Sequence, residues 1–463
     1  MDFRMDFDNS AHDEILGVDL WSFCPHKALS DLLSFELASK LRAFVYSVDG
    51  QTLCIVMQNP FDEKAKQVLL HKFSHLCKKI IIAKESGSHF AWILQALQFV
   101  ERFYISKDIS QMLDFVLQEG IRFQASDIHI ETKPDFASIR FRIDGYLREI
   151  GRIYLEDFTQ LASKIKLESK LDITESRLPQ DGRYNRNFNG IDYDFRISCV
   201  PLFGGESIVI RILYKHNKTI TLQSLGINPH ILEQLKIAIQ KKNGLILITG
   251  PTGSGKSTTI YALLEELKSL QKKIITLEDP IEYQIKLATQ IQINPDIGFS
   301  FVEALRSVLR QDPDIIMVGE IRDRQTLDLA LNASLTGHLV IASLHSNDCI
   351  STLDRLFEMG AQHSIIATSL LCVVAQRLVG RLCPHCKVAF EGGFVAKGCE
   401  SCNGIGIVGR EVVCECMFID KQMRDLIIEH KSIRAHTANI ATLKDDAKLK
   451  KDIIDYKEIE QLE

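Results

Sequence analysis

One segment of the chain has the glycine spacing of a phosphate-binding loop. Residues 250–257, Gly-Pro-Thr-Gly-Ser-Gly-Lys-Ser, match G-x-x-x-x-G-K-[ST] in full, between an apolar run and a helical pattern. Glycines let backbone N–H groups converge on phosphate oxygens, and the following helix adds the positive end of its dipole. We expect Lys256 to reach the β- and γ-phosphates of a nucleotide and Ser257 to ligate Mg²⁺. The alternative is a glycine-rich turn without a ligand. The residues predicted to bind nucleotide are Gly250, Pro251, Thr252, Gly253, Ser254, Gly255, Lys256, Ser257 and Thr258.

Carboxylates follow two other apolar runs. Glu320 comes just after Ile315-Ile-Met-Val318, where a carboxylate can polarise an attacking water or hold it through Mg²⁺. An aspartate is more usual at this position, which Gly319 and Glu320 occupy here. The segment Glu278-Asp-Pro-Ile-Glu282 is a second acidic cluster that could position metal or water, although Asp-Pro is also typical of a plain turn.

Two histidines flank the apolar run at 339–344. His345 directly follows the run, where it could hydrogen-bond a terminal phosphate or a catalytic acid, and His338 precedes it. A lone histidine is more often a packing or surface residue, and the functional interpretation is weaker for His338 than for His345.

Four of the twelve cysteines have metal-ligand spacing. Cys383 and Cys386 form one C-x₂-C pair, Cys399 and Cys402 form a second, and twelve residues separate the pairs. Two thiolate pairs at this spacing fit a tetrahedral zinc site with no open position, so the predicted role of the metal is structural. The intervening His385 is not expected to be a ligand.

Arginines recur on strand-like segments before the phosphate-binding loop. They are Arg140, Arg142, Arg183, Arg196 and Arg211. Such residues usually form a solvated face. However, the region around the loop has no obvious internal arginine to neutralise transition-state charge, and an arginine from another domain or a neighbouring subunit would fill that role.

The elements that must position these residues are parallel strands. Four apolar runs, at 245–248, 273–277, 315–318 and 339–344, alternate with helical patterns. In a parallel α/β sheet the carboxyl ends of the strands share one edge, and ligands bind there. The sequence therefore predicts that the loop, the acids and His345 form one site on one sheet edge.

Changes of pattern predict the domain organisation. Residues 1–100 are expected to form a partner-docking region without a chemical motif, and 101–217 an α+β domain that carries the arginines. Residues 218–463 should form the α/β domain, including the zinc ribbon at 381–410 and closing helices at 418–463. Within 101–217, a helix begins near Ile109, and period-two alternation at 138–143 before Asp144-Gly145 predicts a hairpin.

Composition narrows the class of protein. The 463 residues are 46% hydrophobic and 25% charged, as in soluble globular proteins, and the net charge of −5 gives little support for bulk nucleic-acid binding. No window has the ~18 apolar residues of a membrane span, and the acidic N-terminus is unlike a signal peptide. We expect a cytosolic protein whose association with a membrane, if it has one, goes through a partner or an amphipathic surface.

Taken together, these motifs resemble the secretion ATPases of the type II secretion and type IV pilus extension class, the GspE/PilB family. The resemblance covers about residues 105–463. It rests on Gly250–Thr258, the acidic box at 275–282, Gly319-Glu-Ile-Arg-Asp323, the histidine box at 336–348 and the four cysteines. Upstream, the segments 125–131, 139–145, 178–183 and 196–213 also match.

The resemblance implies a RecA-like P-loop ATPase domain with a parallel sheet, preceded by a smaller PAS-like α+β domain and carrying a four-cysteine zinc ribbon. It implies that Glu320 is the catalytic acid, that Glu278 assists Mg²⁺ or water, and that His345 senses phosphate. It further implies that Arg196 and Arg211 contact ATP. The family forms hexameric rings on the cytoplasmic face of an inner-membrane platform, where ATP hydrolysis drives pilus or pseudopilus assembly. Secretion, pilus extension and DNA uptake all remain open.

The chain departs from the family pattern at a few positions, and two other functions stay open. Ser343 and Ser346 stand in the histidine box where threonines are usual, and the region 1–100 is short for the family. Retraction ATPases of the same superfamily generally lack the four cysteines, which favours extension or secretion. The alternatives are a DNA-translocating or helicase-type motor, disfavoured by the net charge and by the lack of an aromatic and basic stacking stripe, and a nucleotide-binding scaffold without hydrolysis.

Overall fold

The computed structural model describes residues 16–18, 20, 23–85, 89–106, 108–214, 220–431 and 440–462. Contacts group the chain into two compact units. The first comprises residues 1–214 together with 383–387 and 396–407. The second comprises residues 215–382, 388–395 and 408–463.

The first unit contains ten strands and six helices among its described residues. The strands are β1 Leu16–Val18, β2 Ala43–Asp49, β3 Thr52–Met57, β4 Lys79–Glu85, β5 Asp127–Thr132, β6 Ala137–Ile143, β7 Tyr146–Ile153, β8 Gln180–Phe188, β9 Ile191–Leu202 and β10 Gly205–Leu213. The helices are α1 Lys27–Leu32, α2 Phe35–Leu41, α3 Glu63–Phe73, α4 Phe90–Phe103, α5 Ile109–Arg122 and α6 Leu155–Glu168.

These strands form two sheets. A four-stranded sheet has the order β1-β4-β3-β2, and a six-stranded antiparallel sheet has the order β7-β6-β5-β10-β9-β8. The β6–β7 hairpin turns at Asp144-Gly145, both with positive φ as the turn chemistry requires. The alternate apolar residues Ile128 and Ile130 of β5 and Ile139 and Phe141 of β6 are fully buried, so this sheet has one apolar face and one more polar face.

A single hydrophobic core runs through the first unit, from Val18 to Ile212. Helix α4 joins its two sheets. Its Trp92 indole donates to the carbonyl of Glu149 on β7 at 3.0 Å, and a Cβ added to Gly151 would lie 2.9 Å from the Phe99 ring. Residues 16–103 and 108–214 therefore share one continuous packed interior.

The second unit contains nine strands and nine helices among its described residues. The strands are β11 Gly244–Thr249, β12 Ile274–Glu278, β13 Ala288–Gln292, β14 Ile315–Val318, β15 Leu339–Leu344, β16 Leu370–Leu382, β17 Val388–Phe390, β18 Gly393–Val395 and β19 Ile407–Phe418. The helices are α7 Pro229–Ile239, α8 Lys256–Leu267, α9 Phe301–Val308, α10 Arg324–Leu335, α11 Cys349–Glu358, α12 His363–Ser369, α13 Lys421–Ile428, α14 Leu443–Leu449 and α15 Tyr456–Glu460.

Its main sheet has seven strands in the order β13-β12-β14-β15-β11-β16-β19. The pairs from β13 to β16 are parallel, and β11, β12, β14 and β15 are buried along their whole length. The predicted α/β fold with a parallel sheet, preceded by a smaller α+β domain, is confirmed. The four predicted strands are its central part, whereas β13, β16 and β19 were not identified from the sequence.

None of the helices in the described part of the chain is both long enough and apolar enough to span a membrane.

Candidate active site

The phosphate-binding loop connects β11 to α8 at the carboxyl edge of the parallel sheet. Gly250 has φ +147°, and a Cβ there would lie 2.5 Å from the Gln376 carbonyl oxygen, so no larger residue fits. Gly255 (φ +88°) caps the N-terminus of α8. Glycine conformations therefore set the backbone at both ends of the loop. The N-terminus of α8, which is the positive end of the helix dipole, directly follows it.

Lys256 folds back onto its own loop. Its Nζ donates to the carbonyl oxygens of Gly250 at 2.8 Å and of Pro251 at 2.9 Å. Burial lowers the pKa of Lys256, the Arg377 charge acts in the same direction and the Glu320 charge opposes them. The Lys256 ammonium group is thus hydrogen-bonded to two backbone carbonyl oxygens and lies within electrostatic reach of Glu320 and Arg377.

Glu320 is brought together with His345 and Arg322. The Glu320 carboxylate lies 3.3 Å from His345 Nε2 and is paired with Arg322. Its side chain is 16% exposed, against 49% for His345, so the acid is partly shielded while still open to solvent. A Cβ added to the preceding Gly319 would lie 3.0 Å from the Leu277 carbonyl oxygen. This close approach of two backbone segments explains why a glycine precedes the acid.

Glu278 is enclosed, and its donors are all protein groups. The carboxylate accepts hydrogen bonds from Tyr261, from Thr276 at 2.5 Å and from Gln290 at 3.0 Å, and the residue is 3% exposed. Tyr261 is on α8, Thr276 on β12 and Gln290 on β13. Glu278, which is itself on β12, therefore links α8 to β12 and β13. Asp279 beside it is exposed.

The histidine box contacts the end of β11 and Gly319, which follows β14. The backbone N–H of Ser346 donates to Thr249 Oγ1 at 3.1 Å, and Ser343 Oγ donates to the Gly319 carbonyl oxygen at 2.5 Å. His338 has a different environment, with its Nδ1 2.9 Å from the carbonyl oxygen of Ala333 at the end of α10. The structure therefore groups His345 with Glu320 and assigns His338 to a helix terminus.

Two residues at this edge were missed by sequence reasoning. Gln376, in the middle of β16 just beyond its pairing with β11, donates its amide Nε2 to the Ser254 carbonyl oxygen at 2.7 Å. Arg377 donates Nη2 to the Asn347 carbonyl oxygen at 2.8 Å. The only available signal was a polar pair within a long apolar run, which is weak without knowing that β16 pairs with β11.

Arg196 and Arg211 lie in the first unit, opposite each other on β9 and β10. Arg211 Nε donates to Asp127 on β5 at 2.9 Å, and its side chain is 60% exposed. Arg183 is the register partner of Arg196, and Arg142 is the partner of Asp127. The polar face thus carries a row across five strands, consisting of Arg183, Arg196, Arg211, Asp127 and Arg142.

The four predicted zinc ligands converge. Their sulfur atoms all lie within 4.8 Å of one another, with Sγ–Sγ distances of 3.8 Å for Cys383–Cys399, 3.7 Å for Cys386–Cys402 and 3.7 Å for Cys399–Cys402. Zinc–sulfur bonds of about 2.3 Å in a tetrahedron place the sulfurs about 3.8 Å apart. The backbone N–H of Gly406 donates to Cys402 Sγ at 3.1 Å. The donor set and its spacing fit zinc.

The second cysteine pair is anchored within the first unit through Asn403. Gln95 donates to Asn403 Oδ1 at 2.6 Å, and Arg148 donates to its carbonyl oxygen at 2.6 Å. The Arg148 guanidinium lies 4.6 Å from the Trp92 ring, and burial lowers its pKa to about 10. Arg42 pairs with Glu400 nearby.

Comparison with protein families gives two matches. The family described as "Type II/IV secretion system protein" matches residues 105–458, and the MshEN domain matches residues 9–97.

Individual proteins agree with this. The chain is 43% identical to the type II secretion system protein HxcR of Pseudomonas aeruginosa over 343 residues, 73% of each chain. It is 40% identical to the type II secretion system ATPase E of Vibrio cholerae over 410 residues, 83% of this chain and 82% of that protein. It is 35% identical to the type IV pilus assembly ATPase PilB of Thermus thermophilus over 466 residues, 90% of this chain and 52% of PilB.

Solved structures show the same fold. The pilus retraction motor PilT with bound ADP has a TM-score of 0.54 and 27% identity, covering 76% of this chain and 96% of PilT. The ATPase DotB of Legionella pneumophila has a TM-score of 0.59 and 24% identity, covering 75% of this chain and 94% of DotB.

Proposed function

The chain belongs to the type II/IV secretion system protein family, and from this premise we propose that it is the ATP-hydrolysing motor of a pilus or pseudopilus assembly machine. The observation that carries the proposal is the edge of the parallel sheet. Lys256 lies in a complete phosphate-binding loop there, and the Glu320 carboxylate lies 3.3 Å from His345 on the neighbouring strand end.

Each residue at this edge then has a definite task. The loop N–H groups and Lys256 bind the phosphates, which requires Lys256 to leave the two carbonyl oxygens that it now contacts. Ser257 would hold Mg²⁺, which supplies charge neutralisation. Glu320 orients and polarises the attacking water, since it is the partly exposed acid at this edge.

His345 and Glu278 act on this centre in different ways. Because His345 contacts Glu320, it links the state of the terminal phosphate to the acid. Glu278 is enclosed by three donors and orders α8 behind the loop, and in this arrangement it supports the site from behind. Asp279, which is exposed, is the acidic-box group that a metal or water can reach.

The remaining assignments concern assembly. We propose a homohexameric ring in which Arg196 and Arg211 of one subunit contact ATP bound to the next. The ring acts at the cytoplasmic face of an inner membrane through platform proteins, with residues 1–100 as the docking region. Cys383, Cys386, Cys399 and Cys402 bind one structural zinc ion. Secretion, pilus extension and DNA uptake are the candidate processes.

The decisive experiment separates nucleotide binding from turnover. Glu320→Gln should bind ATP with near wild-type affinity and hydrolyse it at least about 100-fold more slowly, because the amide cannot polarise water. Lys256→Ala should lose binding itself. Glu303→Gln is the matched control, since Glu303 is an exposed acid on α9 paired with Arg306.

Turnover by Glu320→Gln near the wild-type rate would remove Glu320 from the catalytic role. Wild-type protein that binds ATP without hydrolysis at any protein concentration would favour the scaffold. A rate per protomer that climbs with protein concentration supports a site completed between subunits.

A further inference from the structure

The middle of β16 lies directly beside the phosphate-binding loop. β16 pairs in parallel with β11 up to Thr249 and Ala375, so Gln376 and Arg377 directly follow its last residue paired with β11. An added Cβ on Gly250 would lie 2.5 Å from the Gln376 carbonyl oxygen, which shows how closely the two segments approach. Gln376 also binds the Ser254 carbonyl at 2.7 Å.

Arg377 connects the middle of β16 to the histidine box. Its Nη2 lies 2.8 Å from the Asn347 carbonyl oxygen and 3.4 Å from Asn347 Oδ1, and its Nη1 lies 3.1 Å from the Gln376 carbonyl oxygen. Asn347 is two residues beyond His345. The guanidinium is thus placed by backbone oxygens of β16 and of the loop that follows β15.

The Arg377 charge adds to that of Lys256. Burial is the main cause that lowers the pKa of Lys256, Glu320 raises this pKa and Arg377 lowers it further, so the two cations lie within electrostatic reach of each other. Two cations of one chain beside a phosphate-binding loop favour a multiply charged anion. A guanidinium held in a fixed plane suits phosphate oxygens.

We propose that Arg377 contacts the terminal phosphate of ATP bound to its own subunit, and that its bond to Asn347 transmits this contact to the His345 loop. The inference rests on the proposed function and extends it: the subunit carries an arginine of its own at the phosphate, in addition to those expected from a neighbour. Arg377 would then be the group that distinguishes ATP from ADP.

The test compares the affinities of dilute full-length protein for ATP and ADP, with a fluorescent analogue of each as the probe. Arg377→Gln should weaken ATP binding roughly 10- to 100-fold, the range for one charge-assisted hydrogen bond, and leave ADP binding within about twofold. Arg381→Gln is the matched control, because Arg381 is an exposed arginine on the same strand. It should change neither affinity.

Three results would overturn the inference. One is unchanged ATP binding by Arg377→Gln, and another is an equal loss for ATP and ADP. If Arg377→Gln fails to fold, Arg377→Lys decides, since it keeps the charge and should retain part of the preference for ATP; its complete loss of that preference with an intact melting curve would count against a charge contact. Wild-type protein that binds neither nucleotide would refute the proposed function instead.

Discussion

Two places in this protein arrange their polar side chains in different ways: the edge of the parallel sheet in the second unit, and the arginine row and cysteine cluster in the first. At the edge of the parallel sheet, opposite charges and complementary groups meet. Glu278 accepts from three donors, Glu320 contacts His345 and Arg322, and Lys256 donates to two carbonyl oxygens. This edge is a network that the chain completes by itself.

The first unit instead gathers like groups. Arg183, Arg196 and Arg211 are register partners across three strands, and the sulfurs of four cysteines lie within 4.8 Å of one another. Like charges directly opposite in a sheet destabilise it, and clustered thiolates repel. At the parallel-sheet edge the charges are thus balanced by groups of the chain itself, whereas the four cysteines would be balanced by the zinc ion that we propose.

Removing the metal site should have the largest effect. Cys399→Ser is expected to reduce zinc from one per chain to none and to unfold residues 396–407 locally, because the binding free energy of a structural zinc, on the order of 10 kcal/mol, is folding free energy. Metal analysis together with hydrogen exchange measures both. Cys54→Ser, on β3, should change neither, and folded wild-type protein without zinc would contradict the prediction.

The arginine row should have the next largest effect. Arg196→Gln and Arg211→Gln are each expected to lower the ATPase rate about 10³-fold, the range for an arginine that neutralises phosphoryl-transfer charge. Mixing Arg196→Gln with Lys256→Ala protein should restore part of the rate, because one variant supplies an intact loop and the other an intact row.

Arg186→Gln is the control for this experiment, since Arg186 lies on β8 but pairs with Asp114 at 2.7 Å. It should keep the wild-type rate. Mixing that restores nothing, at concentrations where the wild type is active, would place the arginines at a site other than that of a neighbouring subunit.

A donor lost from the parallel-sheet edge should have a moderate effect. Tyr261→Phe leaves the buried Glu278 carboxylate with one donor fewer and should lower the free energy of unfolding by about 1–3 kcal/mol. Tyr214→Phe, which loses a neutral bond to the Ala125 carbonyl at 2.9 Å, should cost about 0.5–1.5 kcal/mol. Urea unfolding compares the two, and an equal cost would argue against a network centred on Glu278.

The smallest effect should be a gain in stability. Arg183→Gln removes one of the like charges and is expected to stabilise the protein by about 0.2–1 kcal/mol at low salt. The gain should vanish near 1 M salt, where charges more than about 3 Å apart are screened. Melting temperatures at the two salt concentrations test this, with Arg177→Gln as an exposed control. A less stable Arg183→Gln at low salt would mean that an internal partner already balances the row.

The sequence was sufficient for the arrangement of the parallel-sheet edge. Complete glycine spacing located the loop, and the rule that parallel strands share their carboxyl edge predicted that Glu320 and His345 lie together; their side chains are 3.3 Å apart. The roles of these residues stay predictions. The enclosure of Glu278 was not foreseeable, because its donors come from three separate elements.

The other features of the site could not be predicted from the sequence because they depend on contacts between segments that are distant along the chain. Gln376 and Arg377 were missed because no glycine or acid marks this part of β16, and only its pairing with β11 brings them to the loop. Likewise, the arginines were recognisable as strand residues, but their alignment in one row depends on strand register that no local pattern encodes. The contacts of Asn403 with Gln95 and Arg148 join segments 308 and 255 residues apart in sequence.

The two bonds from Lys256 to the Gly250 and Pro251 carbonyl oxygens have a kinetic consequence. If the amine must leave both acceptors before it can meet a phosphate, an opening step precedes productive association. At high ATP concentration the observed association rate would then stop rising and level off at the opening rate of Lys256. A plateau of this kind in rapid-mixing measurements would mean that a motion of the loop itself, and not the ATP concentration, sets the maximum rate at which the subunit binds ATP.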